Sequence, residues 1–262
     1  MARPIVHALL TGLPRFGKDT DSLVLNMTNV ETVNWFVVLW RYPKDLLPDT
    51  LSNLDPAWFD LSESELHDFI QQRLPDNHRL QLTRWVDHDS LDQPPRKFEA
   101  FYSNPTNTWG QYSLLRHANQ LRHQLEPHLG PKPDIIVRCR ADGGMSQPLD
   151  MSALTQACQL DPKLLITPRN QRHGHYQFCD HMAIGSDQAI TALANVVKDF
   201  DRVNREGVPF NAELLIGHIL KSQGLHWPQT DWDSTLKKSG YYDSFGVWHQ
   251  LEGRWRLGPV TF

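Results

Sequence analysis

Residues 133–142 read Pro133-Asp134-Ile135-Ile136-Val137-Arg138-Cys139-Arg140-Ala141-Asp142, and Gly143-Gly144 follow. The β-branched run Ile135-Ile136-Val137 suits a strand covered on both faces, the kind found in parallel sheets. Apolar character then gives way to Arg138, Arg140 and Asp142, three charges in alternation. A strand period of two sends all three to one side. Gly143-Gly144 is expected to turn the chain sharply. A buried strand that ends in same-side charges and a turn describes the carboxyl edge of an open α/β sheet, where ligands bind. Two guanidiniums and a carboxylate there point to a phosphorylated ligand, alone or with a divalent metal. The competing reading is a structural Arg–Asp ion pair at a strand end.

Upstream, Ile5-Val6-His7-Ala8-Leu9-Leu10 reads as a first strand and Asn34-Trp35-Phe36-Val37-Val38-Leu39-Trp40 as a second. Between them Leu23, Val24, Met27 and Val30 recur at helical spacing, with Asp19 or Thr20 as the cap. Strand, loop, helix, strand is a βαβ unit with a right-handed crossover. Ser62 and Glu65 form a capping box before a helix carrying Leu66, Phe69, Ile70 and Leu74. Residues 79–86 alternate as a third strand, and residues 87–108 form a long polar loop of the kind that often carries function. An amphipathic helix is expected from Gln111 to about His128, closed by Gly130-Pro131. Beyond the central strand come a short helix capped by Ser152, a short strand at Leu164-Leu165-Ile166, and a basic stretch with Arg169, Arg172, His173 and His175. Asp180-His181 then lead into a small apolar strand. Asn211 caps a later helix that Gly224 stops. Residues 232–262 are aromatic and read as a hairpin or a wrapping tail. The fold expected is α/β, one domain over residues 1–262, with a mixed, mainly parallel sheet flanked by helices.

With 262 residues, 40% of them hydrophobic, the chain can bury a sizeable core. A net charge of -4 argues against duplex nucleic acid as a partner, since neutralising phosphates needs clustered Lys and Arg. Three cysteines without CxxC spacing argue against a disulfide framework and a structural zinc site. The first residues lack a long apolar run, so no signal peptide is expected. No stretch reaches the roughly 20 apolar residues of a membrane span. Together these favour a cytoplasmic setting, with peripheral membrane association left open.

Residues 12–18, Gly12-Leu13-Pro14-Arg15-Phe16-Gly17-Lys18, fit the phosphate-loop pattern G-x-x-x-x-G-K. Asp19 stands where the pattern needs a magnesium-binding hydroxyl, and Pro14 removes a backbone donor. A milder reading places Thr11, Gly12 and Arg15 at the first strand's end, touching a nucleotide. His173-Gly174-His175 with Asp180-His181 has the residue types of a metal site. Thirteen histidines make chance clustering the expected outcome, however, and no H-x-x-x-H spacing supports the site.

Four features in order resemble bacterial and phage-type glycosyltransferases of the GT-A kind, especially those of lipopolysaccharide and capsule synthesis. They are the first strand ending in Gly12 and Arg15, Gln111-Tyr112 opening a helix, the D-hydrophobic-R-x-R-x-D strand from Asp134 to Asp142, and Asp180-His181-Met182-Ala183-Ile184-Gly185-Ser186 followed by Glu213. The resemblance implies a GT-A-like, Rossmann-like fold. It also implies a nucleotide diphosphate sugar as donor and a glycan hydroxyl as acceptor. Asp142 would lie against the diphosphate, commonly through Mn or Mg. Arg140 replaces the first Asp of the usual D-x-D, so it would neutralise the diphosphate directly. Gly12, Arg15, Arg138, Arg140 and Asp142 are thus expected on the donor. Asp180 is the expected base, ahead of Glu213, whose other reading is a carboxylate on a helix dipole. The alternatives are a kinase or sulfotransferase using Gly12 to Lys18, and a carbohydrate-binding relative without catalysis.

Overall fold

The computed structural model describes residues 2–16, 18–42, 56–87, 90–91, 93–98, 104–145, 148–168 and 178–227, and the backbone of three short strands after them. The proposed basic loop with His173 and His175 lies outside the described residues, as does most of residues 43–58.

The elements alternate as a βα protein should. They are β1 (Ile5–Gly12), α1 (Lys18–Leu25), β2 (Met27–Thr28), β3 (Thr32–Arg41), α2 (Glu63–Gln71), β4 (His78–Asp87), α3 (Pro105–Leu125), β5 (Ile135–Arg140), β6 (Gly143–Met145), β7 (Leu149–Asp150), α4 (Met151–Leu160), β8 (Leu165–Ile166), β9 (Met182–Gly185), α5 (Asp187–Asn195), α6 (Phe200–Arg205) and α7 (Ala212–Ser222). The main sheet has six strands in the order β4-β3-β1-β5-β9-β8. β1, β3, β4 and β5 are parallel, and β9 is antiparallel to both of its neighbours. The fold is therefore a mixed, mainly parallel α/β sheet flanked by helices.

Period-two alternation divides the core in two. Val6, Ala8 and Leu10 of β1, with Ile135, Val137 and Cys139 of β5, pack toward Leu23 of α1, Leu66 of α2 and Met151 of α4. Leu9 and Ile136 pack on the opposite side against Tyr112 and Leu115 of α3 and against residues of α5, α6 and α7. Both faces are covered, which is why β1 and β5 tolerate continuous apolar runs. Arg138 and Arg140 share the parity of Ile136 and so face α3.

Several boundaries differ from the sequence reading. The first helix ends at Leu25, before Met27 and Val30. There Asn26 donates through Nδ2 to the Met145 carbonyl at 3.0 Å, and Asn29 takes a positive φ of 57°. Met27 and Thr28 leave the helix to pair with Leu149 and Asp150. The amphipathic helix begins at Pro105, because Asn104 accepts from the N–H groups of Thr106 and Asn107 and a proline is well suited to the first helical position. α4 is capped by Asp150, and Ser152 donates instead to the Asn29 carbonyl at 3.0 Å. Gly143 and Gly144 are not the turn but strand β6, which pairs with Ser234–Leu236; the turn is Ala141-Asp142. The capping box at Ser62 and Glu65, the Asn211 cap and the Gly224 stop at φ 77° are as expected. In the tail, Gly240–Tyr242 pairs antiparallel with Trp248–Gln250.

Arg122, His7 and His78 are among the charged or titratable groups buried within the layers. Arg122, in the middle of the apolar stripe of α3, is fully buried and donates to Glu126 at 2.8 Å, to Asn119 at 3.1 Å and to Asp187 at the start of α5. His7 on β1 and His78 on β4 are both pushed down to about 4, chiefly by burial. A histidine whose folded value lies below its unfolded one contributes stability above the unfolded value near 6.5, and that stability is lost as pH falls toward 4. Melting temperature is therefore expected to decline from pH 7 to pH 4.5. His7→Leu should flatten part of that decline, and an unchanged slope in scanning calorimetry would contradict the assignment.

Candidate functional site

The chain proceeds outward from β1 to β3 to β4, then returns to place β5 on the other side of β1. The strand order thus reverses between β1 and β5, which opens a crevice at their carboxyl ends. Thr11 pairs in register with Arg140, and the Ala141 N–H donates to the Thr11 carbonyl at 2.9 Å. Gly12 and Asp142 consequently lie on one edge of one sheet. Gly12 has φ 132°, a conformation that side chains resist, while a Cβ there would meet only ordinary contact at 3.8 Å from the Ala141 nitrogen. Backbone conformation rather than space requires glycine at this position.

Two arginines converge on Asp142. Arg140 donates side-on, from Nε to Oδ1 at 2.9 Å and from its terminal nitrogen Nη2 to Oδ2 at 3.0 Å. Arg15 approaches the same Oδ2 with Nη1 at 3.4 Å. Burial on its own would raise the Asp142 carboxyl, but Arg140 and Arg15, joined by His181 while protonated, outweigh it and hold the group well below the usual carboxylate range. Burial likewise opposes the charge on Arg140, and Asp142 and Asp180 more than restore it. Arg15 is pulled down by burial, and Asp142 only partly offsets this.

Asp180 forms the second half of the cluster. It sits in the turn before β9, and its Oδ2 lies 3.8 Å from Arg140 Nη1. Gln111 of α3 bridges the two groups, accepting from Arg140 Nη1 at 3.4 Å and donating to Asp180 Oδ2 at 3.3 Å. His181 Nε2 lies 3.4 Å from Asp180 Oδ1. Burial pushes His181 down to about 4, so the ring is neutral at pH 7. For Asp180, burial opposes ionisation, and His181 while protonated, then Arg140 and Arg138, overcome it.

The alternating charges of β5 share a side but not a depth. Arg138 is fully buried, donates to the Asp180 backbone carbonyl, and lies over the Tyr112 ring at 5.5 Å. It sits beneath the crevice rather than in it. Glu213 stands in the first turn of α7, where its backbone carbonyl accepts from Phe178 at 3.4 Å. Its side chain makes no hydrogen bond or ion pair with Arg140, Asp142 or Asp180, so of the two proposed bases only Asp180 joins the cluster.

The phosphate-loop reading finds little support in this geometry. Pro14 lacks an N–H, Arg15 N–H is already directed to the Leu13 carbonyl at 2.7 Å, and Phe16 is buried edge-on to Trp58. A divalent ion also fits Asp142 poorly, because both carboxylate oxygens face guanidinium nitrogens. Among the described residues no three His, Cys, Asp or Glu side chains converge on a common point. Gln111 stands in the sequence as the start of a helix and as one feature of the resemblance, with no role assigned; its placement between Arg140 and Asp180 depends on how α3 packs on the sheet.

No protein-family model matches the chain, and no curated protein matches it. Among the described residues no helix is long and apolar enough to cross a membrane.

The ion pair also bears on stability, since truncating Arg140 leaves a buried carboxylate with a single distant partner. Arg140→Ala and Asp142→Asn should each lower unfolding free energy, and the double variant should lose less than their sum. A coupling of about 1–3 kcal/mol is expected from urea titration of the four proteins. Additive losses would show that the pair is energetically idle.

Proposed function

We propose that the chain is a glycosyltransferase that moves a sugar from a nucleotide diphosphate sugar to a glycan hydroxyl, with surface polysaccharide as the class of acceptor. The observation that carries this reading is the position of the Arg15–Asp142–Arg140 cluster at the reversal of strand order, with the Asp180 carboxylate on the far side of Arg140. The GT-A-like motifs of β1, α3, β5 and β9 contribute to this one edge, in keeping with their resemblance to sugar transferases.

Sugar transfer has two electrostatic requirements. Negative charge grows on the departing diphosphate, and preorganised guanidiniums stabilise it. Arg140 and Arg15 take that role, at the strand end that Gly12 turns. The incoming hydroxyl must also lose its proton to a base in an inverting reaction. Asp180 takes that role. Its lowered pKa makes it a weak base in the free protein. A diphosphate drawn onto Arg140 would cancel part of the positive field and raise the basicity of Asp180. Donor binding would thereby prepare the base. A metal is not needed for any of these steps.

Thermal shift and turnover assays over a panel of nucleotide sugars, with and without Mn²⁺, test the reading. A donor that raises the melting temperature and is consumed supports it. Glycan binding with no response to any donor would favour a non-catalytic carbohydrate-binding protein. Given a donor, Asp180→Asn should cut turnover by about 10²–10⁴-fold while nucleotide affinity changes little. Near-normal turnover with a lowered melting temperature would remove Asp180 from the chemistry and turn attention to Glu213.

A further inference from the structure

We infer that Arg15 and Arg140 form a phosphoryl-anion site whose occupant in this structure is the chain's own Asp142, and that a diphosphate enters by exchange with that carboxylate. This rests on the reading of the β1–β5 edge as a diphosphate site.

Geometry is the first support. Arg140 presents the Nε–Nη2 edge of its guanidinium to Asp142, with contacts of 2.9 and 3.0 Å. The same edge matches two oxygens of a phosphate, so one donor pair cannot serve both anions in this way at once. Arg15 Nη1 is directed at the same carboxylate oxygen.

Charge is the second. Arg15, Arg138 and Arg140 against Asp142 and Asp180 leave one net positive charge around the strand ends, too little for a diphosphate with at least two negative charges. Moving Asp142 aside raises the net charge of the cluster to two positive charges.

Unused donors are the third. Arg15 Nε and the Thr11 hydroxyl are buried without a hydrogen-bond partner among the described residues, and Thr11 is the register neighbour of Arg140. Buried donors of this kind are normally satisfied, and an anion larger than a carboxylate would reach more of them.

The exit is the fourth. Asp142 occupies the two-residue turn between β5 and β6, and Arg140, with 21% of its side chain exposed, can be reached from solvent. The carboxylate can leave without breaking the β1–β5 ladder, which ends before it.

Calorimetric titration with inorganic pyrophosphate in EDTA separates an internal competitor from a ligand. Asp142→Asn keeps the shape and removes the competing charge. It should bind pyrophosphate about ten- to hundred-fold more tightly than the wild type, the worth of one charge-assisted contact. Equal or weaker binding would overturn the exchange. The wild type supplies a second measurement that does not depend on how the variant folds. Carbodiimide-driven coupling of glycine ethyl ester to Asp142, read by mass spectrometry, should rise when pyrophosphate saturates the site. Labelling that stays constant or falls would equally overturn it. Neither readout involves sugar transfer, so the anion site and the glycosyltransferase reading can fail separately.

Discussion

The two-point contact between Arg140 and Asp142 organises the carboxyl edge of the sheet. β5 ends at Arg140, and Ala141 adds one further hydrogen bond to β1 before the chain turns. At Asp142 the side chain reaches back to the guanidinium two residues earlier, which closes the turn on itself. The Thr20 hydroxyl of α1 reaches the Ala141 carbonyl at 3.2 Å from the opposite side. Gly143 then passes so close to Arg140 that a Cβ would sit 3.2 Å from its carbonyl oxygen. Desolvating two opposite charges costs several kcal/mol each, and only well-aligned hydrogen bonds offset it. The short contacts to both carboxylate oxygens meet that condition. The longer approach of Arg15 adds field more than bonding.

The charges form a connected series rather than separate pairs. Asp142 is held by Arg140 and Arg15, Arg140 also faces Asp180, and Asp180 is supported from below by Arg138 through its backbone carbonyl. A change at one member is felt by its neighbours, because burial weakens solvent screening. Both carboxyls are depressed and His181 is kept neutral, so the cluster has one dominant charge state at neutral pH. An incoming anion acts on a defined starting point, and its largest effect falls on the groups that share Arg140.

Much of this was legible because the signals were local. The β-branched runs of β1, β3 and β5 announced buried strands, and caps such as Ser62 and Asn211 marked helix starts. The alternation of Arg138, Arg140 and Asp142 gave their common side. What was not legible depended on partners distant in sequence. Met27 has the spacing of a helical core residue, yet pairing with Leu149 draws it into a strand. Gly143-Gly144 has the composition of a turn, yet Ser234–Leu236 recruits it to a sheet. Periodicity gave the side of Arg138 but not its depth, because the cover comes from Tyr112 on a helix over twenty residues away. Gln111 entered only through the resemblance and carried no chemical role of its own. A glutamine becomes informative only when a guanidinium and a carboxylate are found on its two ends.

Arg138 shows what this arrangement requires of the interior. Its guanidinium is fully buried, yet Nε and Nη2 have no hydrogen-bond partner among the described residues, and neither does the nearby Tyr112 hydroxyl. A core designed for stability alone would place an apolar residue there, since replacing buried charges with hydrophobic groups is often neutral or favourable. The aromatic face of Tyr112 and the Asp180 carbonyl supply part of the lost solvation. What the chain gains is a permanent positive charge beneath the turn that carries Asp180, in a place no solvent ion can screen. That charge adds to those of His181 while protonated and of Arg140 in holding the carboxylate ionised, and it also fixes the Asp180 backbone. The depth of Arg138 and the exposure of Arg140 are therefore complementary. One guanidinium shapes the site from inside, and the other, two residues on and one step nearer solvent, holds Asp142 where a ligand can reach it.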